Sequence, residues 1–274
     1  MKFTKMHGNG NDFIVIEDLD NKITDEGALA RELCNRNFGI GGDGILIVRK
    51  SNIAHIQMVI INSDGSYAAM CGNGIRCFAK YVWENNLVSS ENIDIETGDG
   101  IKKAYLTIED NEVKTVTINM GTSSFKPHLI PAKADEEIIN KTITAGEKKF
   151  VISSLLMGVP HTVILGQLES FDVNDGKLIE KHSMFPQGTN VNFCEVINRN
   201  KIKVMTWERG AGPTLACGTG SCAAVVVANK LGLIEDKATV LIPGGSLFIE
   251  ITNEGVFMTG PAVVSFQGEY NKLK

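Results

Sequence analysis

Basic runs, closely paired cysteines and long apolar stretches are all missing from this chain of 274 residues, and aromatic residues make up only 7% of it. Each absence narrows what the protein can be. With no cluster of Lys and Arg and a net charge of -5, the sequence lacks the electrostatic footprint of a general nucleic-acid binder. No apolar run approaches the roughly 20 residues that a membrane-spanning helix requires. Runs such as residues 223–228 are sized for a protein core. The six cysteines, Cys34, Cys71, Cys77, Cys194, Cys217 and Cys222, contain no C-x-x-C pair, so the usual redox and zinc signatures are lacking. The opening Met1-Lys2-Phe3-Thr4 alternates and reads as a strand and not as a secretory signal, so a cytoplasmic protein with reduced thiols is expected.

What the chain does contain is one stretch used twice. Residues 71–77 read C-G-N-G-I-R-C and run into an apolar helical segment; residues 217–222 read C-G-T-G-S-C and do the same. The offset, 217 − 71 = 146, is close to half the chain. The glycines allow a tight turn and a close backbone approach to a ligand. A helix start leaves N–H groups free to hold an anion, and its positive end lowers a thiol's pKa. One such cysteine per half suggests two thiols acting on one small anionic molecule.

The rest of the sequence repeats in the same order. Strand, glycine-rich turn and strand are expected over residues 3–18, then a helix with Thr24 as N-cap, strands over 45–48 and 56–61, the first cysteine motif, and strands over 93–97, 102–109 and 113–120. In the second half, strands over 150–156 and 162–165 flank M-G-V-P-H. A short helix over 178–182, a strand over 202–207, the second cysteine motif and strands over 240–242, 247–251 and 256–259 follow. Cys71 lies nine residues after Asn62, and Cys217 nine residues after Glu208 (71 − 62 = 217 − 208). This predicts a duplicated α/β (α+β) unit, mostly β structure around one central helix per half.

Read together, K-M-H-G-N-G-N-D-F, N-S-D-G-S-Y-A-A-M-C-G-N-G-I-R-C, M-G-V-P-H, W-E-R-G and T-L-A-C-G-T-G-S-C-A resemble the diaminopimelate epimerase family, in that family's order and over nearly the whole chain. The resemblance implies two pseudo-symmetric domains, residues 1–119 with 264–274 and residues 120–263. Each would be a mixed sheet rolled around a central helix, the active site lying between them and the last strand, after Gly260, crossing back to the first domain. It implies an isomerase of lysine and peptidoglycan precursor biosynthesis that interconverts L,L- and meso-diaminopimelate, with no cofactor and no metal. A small-molecule amino-acid substrate and a homodimer are the implied partners, with no nucleic acid or membrane.

Carried over position by position, Cys71 and Cys217 would be the catalytic thiols, with His161 and Glu208 tuning them and holding the α-amino group. Gly72, Asn73, Gly218 and Thr219 would receive the α-carboxylate; Asn11, Asn62, Asn190 and Arg209 would read the far end, Arg209 by a bidentate grip on its carboxylate. The family usually has M-G-N-P-H, whose Asn helps hold that end; here the position is Val159. A cofactor-independent racemase of another amino acid, such as histidine, is therefore the alternative within the same chemistry.

The chemistry needs these groups. Inverting an α-carbon removes a proton from one face and delivers another to the opposite face. One thiolate and one thiol, with free pKa near 8.5, meet that demand and exchange roles at each turnover. Two rivals from other classes are weaker. A nucleotide-binding module would need a G-K-[ST] ending or a full G-x-G-x-x-G, and neither loop has one. A metal or redox site would need converging sulfurs, whereas Cys71/Cys77 and Cys217/Cys222, six and five apart on helices, point to different faces. Cys34, Cys77, Cys194 and Cys222 read as core.

Overall fold

The computed structural model describes residues 1–271 and divides into two compact units. The first comprises residues 1–118 with those from 259 onward, the second residues 119–258. The chain thus crosses back at 259, where the resemblance implied 264.

In chain order the first unit contains β1 (Lys2–Gly8), β2 (Asn11–Glu17), α1 (Glu26–Leu33), β3 (Gly44–Arg49), β4 (Ile56–Asn62), β5 (Tyr67–Ala68), α2 (Gly72–Glu84), β6 (Asn92–Thr97), β7 (Gly100–Glu109) and β8 (Glu112–Asn119). The second contains β9 (Lys141–Ala145), β10 (Lys148–Met157), β11 (Val159–Leu165), α3 (Gly176–Glu180), β12 (Asn190–Asn198), β13 (Lys201–Glu208), β14 (Gly212–Thr214), α4 (Gly218–Lys230), β15 (Lys237–Ile242), β16 (Gly245–Thr252) and most of β17 (Gly255–Gly260), within which the boundary at 259 falls. The final strand, β18 (Val263–Glu269), belongs to the first unit.

The two ladders match pair by pair. In the first unit β1 lies antiparallel to β18 and β2, β2 is parallel to β3, β3 antiparallel to β4, β4 parallel to β6, and β6 antiparallel to β7. In the second, β10 lies antiparallel to β9 and β11, β11 is parallel to β12, β12 antiparallel to β13, β13 parallel to β15, and β15 antiparallel to β16. Each parallel step is a crossover, and a helix lies in it: α1 or α3 in the first, α2 or α4 in the second.

The apolar runs follow from this layering. Strands buried on both faces lose the alternation of a half-buried sheet. Ile14, Ile16, Ile45 and Ile47 pack with Ala30 and Leu33 of α1, while α2 packs against β1, β2, β3, β4 and β7. The second unit repeats this, with Ile152, Ile164, Ile179 and Phe193 in one cluster and α4 against β10, β11, β12, β13, β15 and β16. Both central helices are buried all round over about two and a half turns. That is why α4 tolerates Val225, Val226 and Val227, poor helix formers on their own: strands enclose the helix and burial outweighs propensity.

Local signals are legible in detail at two points. The β1–β2 hairpin turns on Asn9 (φ 55) and Gly10 (φ 86), the left-handed pair that a two-residue Asn-Gly turn requires. Helix α1 is capped by Asp25, whose carboxylate accepts from the Ala28 N–H at 2.8 Å. The expected Thr24 sits one residue too early for that bond.

Candidate active site

Cys71 is the N-cap of α2, in extended backbone (φ -144, ψ 119), and its side chain makes no capping bond. The sulfur stands at the positive end of a helix of 13 residues. Its Sγ lies 3.6 Å from Asn11 Oδ1, which also accepts from Asn73 Nδ2 at 3.3 Å. The orientation of the Asn11 amide is fixed from behind: Nδ2 donates to Asp43 Oδ2 at 2.8 Å, and a carboxylate only accepts. The carbonyl end therefore faces the thiol.

Asp43 is itself held in a charged group. Arg36 bonds both Asp12 oxygens at 3.1 and 2.8 Å and Asp43 Oδ1 at 2.8 Å, while Lys5, itself buried, pairs with Asp12 at 2.6 Å. Burial alone would raise the Asp12 pKa, but the bonds from Arg36 and Lys5 outweigh it and hold the carboxyl far below the usual range. Arg76, from the same motif and fully buried, donates to Asn9 Oδ1 at 2.7 Å, to the Gly72 carbonyl at 3.1 Å and to the Pro261 carbonyl at 3.2 Å. It ties the mouth of α2 to the β1–β2 turn and to the segment leading into β18. Asn62, the last residue of β4, bonds within its own turn, to Ser66 Oγ at 3.0 Å.

In the second unit Cys217 is the N-cap of α4, again extended (φ -119, ψ 108) and again with no capping bond from its side chain. It is more deeply set than Cys71, at 7% exposure. Its Sγ lies 3.6 Å from Thr219 Oγ1, and its carbonyl accepts from Ser221 Oγ at 2.9 Å. Glu208 and Arg209 stand where β13 ends: Glu208 Oε1 accepts from Thr214 Oγ1 at 2.7 Å, and Asn190 Oδ1 accepts from the Arg209 N–H at 2.8 Å. The Arg209 guanidinium donates to the Gln187 carbonyl at 2.8 Å through Nη1.

His161, in β11, is fully buried. Burial first, and then the positive charge of Arg209, push its pKa down to about 3, so the ring is neutral at physiological pH. Its Nδ1 faces Asn192 Nδ2 at 3.1 Å, and its Nε2 has no hydrogen-bond partner among the described residues. Leaving a buried donor unpaired costs about 1–3 kcal/mol.

The structure thus gathers Cys71, Gly72, Asn73 and Asn11 at one helix mouth. It gathers Cys217, Gly218 and Thr219 at the other, with His161, Asn190, Glu208 and Arg209 on the neighbouring strands of that unit. Sequence reasoning missed Asp43, which orients Asn11, Asn192, which faces His161, and Thr206, which bonds Asn192 from behind. The remaining thiols differ in kind. Burial pushes Cys34 up to about 11 and Cys77 and Cys194 to about 12, so these stay protonated and unreactive.

Comparison with known proteins shows the family of the chain. The family model described as diaminopimelate epimerase matches residues 3–126 and 153–265. A diaminopimelate epimerase of Clostridium perfringens (strain 13 / Type A) is 59% identical over 271 residues, covering 98% of this chain and 99% of that protein. One from Alkaliphilus metalliredigens (strain QYMF) is 46% identical over 277 residues, covering 98% and 97%. Among solved structures, a probable proline racemase from Agrobacterium radiobacter K84 superposes with a TM-score of 0.70 at 15% identity, covering 99% of this chain and 93% of that one. At that identity the likeness concerns the fold alone.

Proposed function

The chain belongs to the diaminopimelate epimerase family, and from that premise we propose that Cys71 and Cys217 are the two acid–base groups that invert an α-carbon of diaminopimelate. The protein is an isomerase that interconverts the L,L and meso forms, a step of lysine biosynthesis. The observation that carries the two-thiol reading is the repetition itself. Each unit places a cysteine in extended backbone at the N-cap of its central helix, with the side chain left out of the capping.

In this reading one sulfur, as thiolate, takes the α-proton while the other, as thiol, delivers a proton to the opposite face. The barrier is the charge that develops on the α-carboxylate as the carbon loses its proton. N–H groups of the first turns of α2 and α4, beginning at Gly72, Asn73, Gly218 and Thr219, stabilise that charge. Asn11, Asn62, Asn190 and Arg209 bind the distal amino-acid end, and His161 and Glu208 adjust the two thiols. We further propose a homodimer in the cytoplasm, where a reducing environment keeps both catalytic sulfurs as thiols.

Labelling tests this assignment. In heavy water the donor thiol exchanges with solvent, while the abstracted proton stays on the other sulfur. Product collected at early times is expected to carry deuterium at the inverted centre and the recovered substrate very little. Equal labelling of both pools would point to one base serving both faces.

Val159 provides a second test. It begins β11 after Gly158 (φ 71) and is 37% exposed, so a polar side chain there meets no burial penalty. A hydrogen bond to a charged group is worth about 1.5–3 kcal/mol. Val159→Asn is expected to leave kcat nearly unchanged and to hold or lower KM for diaminopimelate, by up to about tenfold. A tenfold rise in KM in steady-state assays would show that the valine serves the substrate as apolar contact.

A further inference from the structure

The two units fill the same place in the fold with opposite chemistry. In the first, Phe13 pairs with Gly44 across the parallel β2–β3 step; Leu46 lies two residues on and opposite Ile60. In the second, His161 pairs with Asn190 across β11–β12; Asn192 lies two residues on and opposite Thr206. The third residue of each helix packs here. A Cβ added at Gly74 would lie 3.3 Å from Leu46 Cδ2 and 3.4 Å from Phe13 Cζ, and one added at Gly220 would lie 2.3 Å from Asn192 Oδ1. Phe13, Leu46 and Ile60 are ordinary core. The fold therefore does not demand a buried His–Asn–Thr trio at this position, and buried polar groups are costly unless they are paired.

The pairing of that trio fixes its protons. Asn192 Nδ2 lies 3.2 Å from the Thr162 carbonyl, which can only accept, so the NH2 end of the amide is on that side. Its Oδ1 accepts from Thr206 Oγ1 at 3.0 Å, which agrees. The second Nδ2 hydrogen is then directed at His161 Nδ1, which must accept it and so carries no proton. A neutral imidazole with a bare Nδ1 carries its hydrogen on Nε2, the atom that has no partner among the described residues. We propose that Asn192, backed by Thr206, is a positioning residue for the epimerisation: it locks His161 as the Nε2–H tautomer, reserving that N–H for an acceptor supplied by the reacting groups. The proposal deepens the two-thiol reading, because the acceptor it implies is a developing anion, a thiolate or the substrate's carboxylate.

The tautomer is directly observable. With 15N-labelled histidine, two-bond correlations from the ring C–H protons of ligand-free protein are expected to show His161 protonated at Nε2 and bare at Nδ1 across neutral pH; His161→Gln identifies its signals. Asn192→Leu copies the residue of the other unit and removes the lock. It is expected to leave a mixture of tautomers and to lower kcat about 100-fold with KM within about threefold. Asn192→Asp sets an acceptor against Nδ1 and is expected to draw the proton there. An Nδ1–H ring in the wild type overturns the proposal, as does an Nε2–H ring that persists in Asn192→Leu whatever happens to the rate. Because the spectra need neither substrate nor turnover, they remain decisive even if alanine replacement of the cysteines refutes the thiol assignment.

Discussion

Cys71→Ala and Cys217→Ala are each expected to lower kcat for interconversion of the diaminopimelate isomers by at least about 10³-fold, with the fold retained. General acid–base groups contribute roughly 10²–10⁴-fold apiece, and under the proposed scheme neither thiol has a substitute, since each would serve one face of the α-carbon. The losses should not add: once one face has no proton carrier, losing the other changes little, so the double variant should resemble either single one. Both side chains lie outside the capping of their helices, so circular dichroism and the thermal midpoint should stay close to wild type. Retention of a tenth of the activity by either single variant would end the two-thiol scheme.

The second large effect distinguishes two glycines that the sequence presents as equivalents. Gly74 and Gly220 each stand three residues after the cysteine. At Gly74 an added methyl meets two carbon atoms at 3.3 and 3.4 Å, the far ends of Leu46 and Phe13, which can yield. At Gly220 it meets Asn192 Oδ1 at 2.3 Å and Cys217 Sγ at 3.2 Å. Asn192 is fully buried and held by Thr162, Thr206 and His161, so it cannot move aside without breaking those bonds. Gly220→Ala is expected to destabilise by about 1–3 kcal/mol, lowering the melting temperature by about 2–4 °C per kcal/mol. It should also reduce kcat at least about 100-fold by displacing the sulfur. Gly74→Ala should stay within about 1 kcal/mol and keep most activity. Calorimetry and initial rates on the two variants check this, and equal damage at both positions would contradict it.

Much of this was legible in the chain. The doubled C-G-x-G places both cysteines at helix mouths because glycine-rich turns before apolar helical runs have few other solutions. The nine-residue spacing from Asn62 to Cys71 and from Glu208 to Cys217 corresponds to the ends of β4 and β13. Other parts were hidden for physical reasons. Asn192 on β12 and Thr206 on β13 are polar residues among apolar ones, which a sequence reading turns to solvent, and only the three-dimensional register places them opposite each other in the interior. Asp43 lies in a glycine loop that reads as punctuation, and its role appears once Asn11 is placed beside it. Strands β5 and β14, two and three residues long, carry no periodicity at all, and β18 has no buried residue to mark it.

The pairing of β1 with β18 also has a temporal side. Lys2 lies opposite Glu269, and the Met1 amine donates to the Tyr270 carbonyl at 2.8 Å, 269 residues along the chain. The second unit is contiguous and closes with strands that follow one another during synthesis. The first must keep the outer edge of β1 unpaired until β18 is made, after the whole of the second unit. An unpaired strand edge is a template for pairing with another chain. In the growing polypeptide the N-terminal hairpin is thus the segment longest exposed to misassembly, and chaperone protection would matter most there.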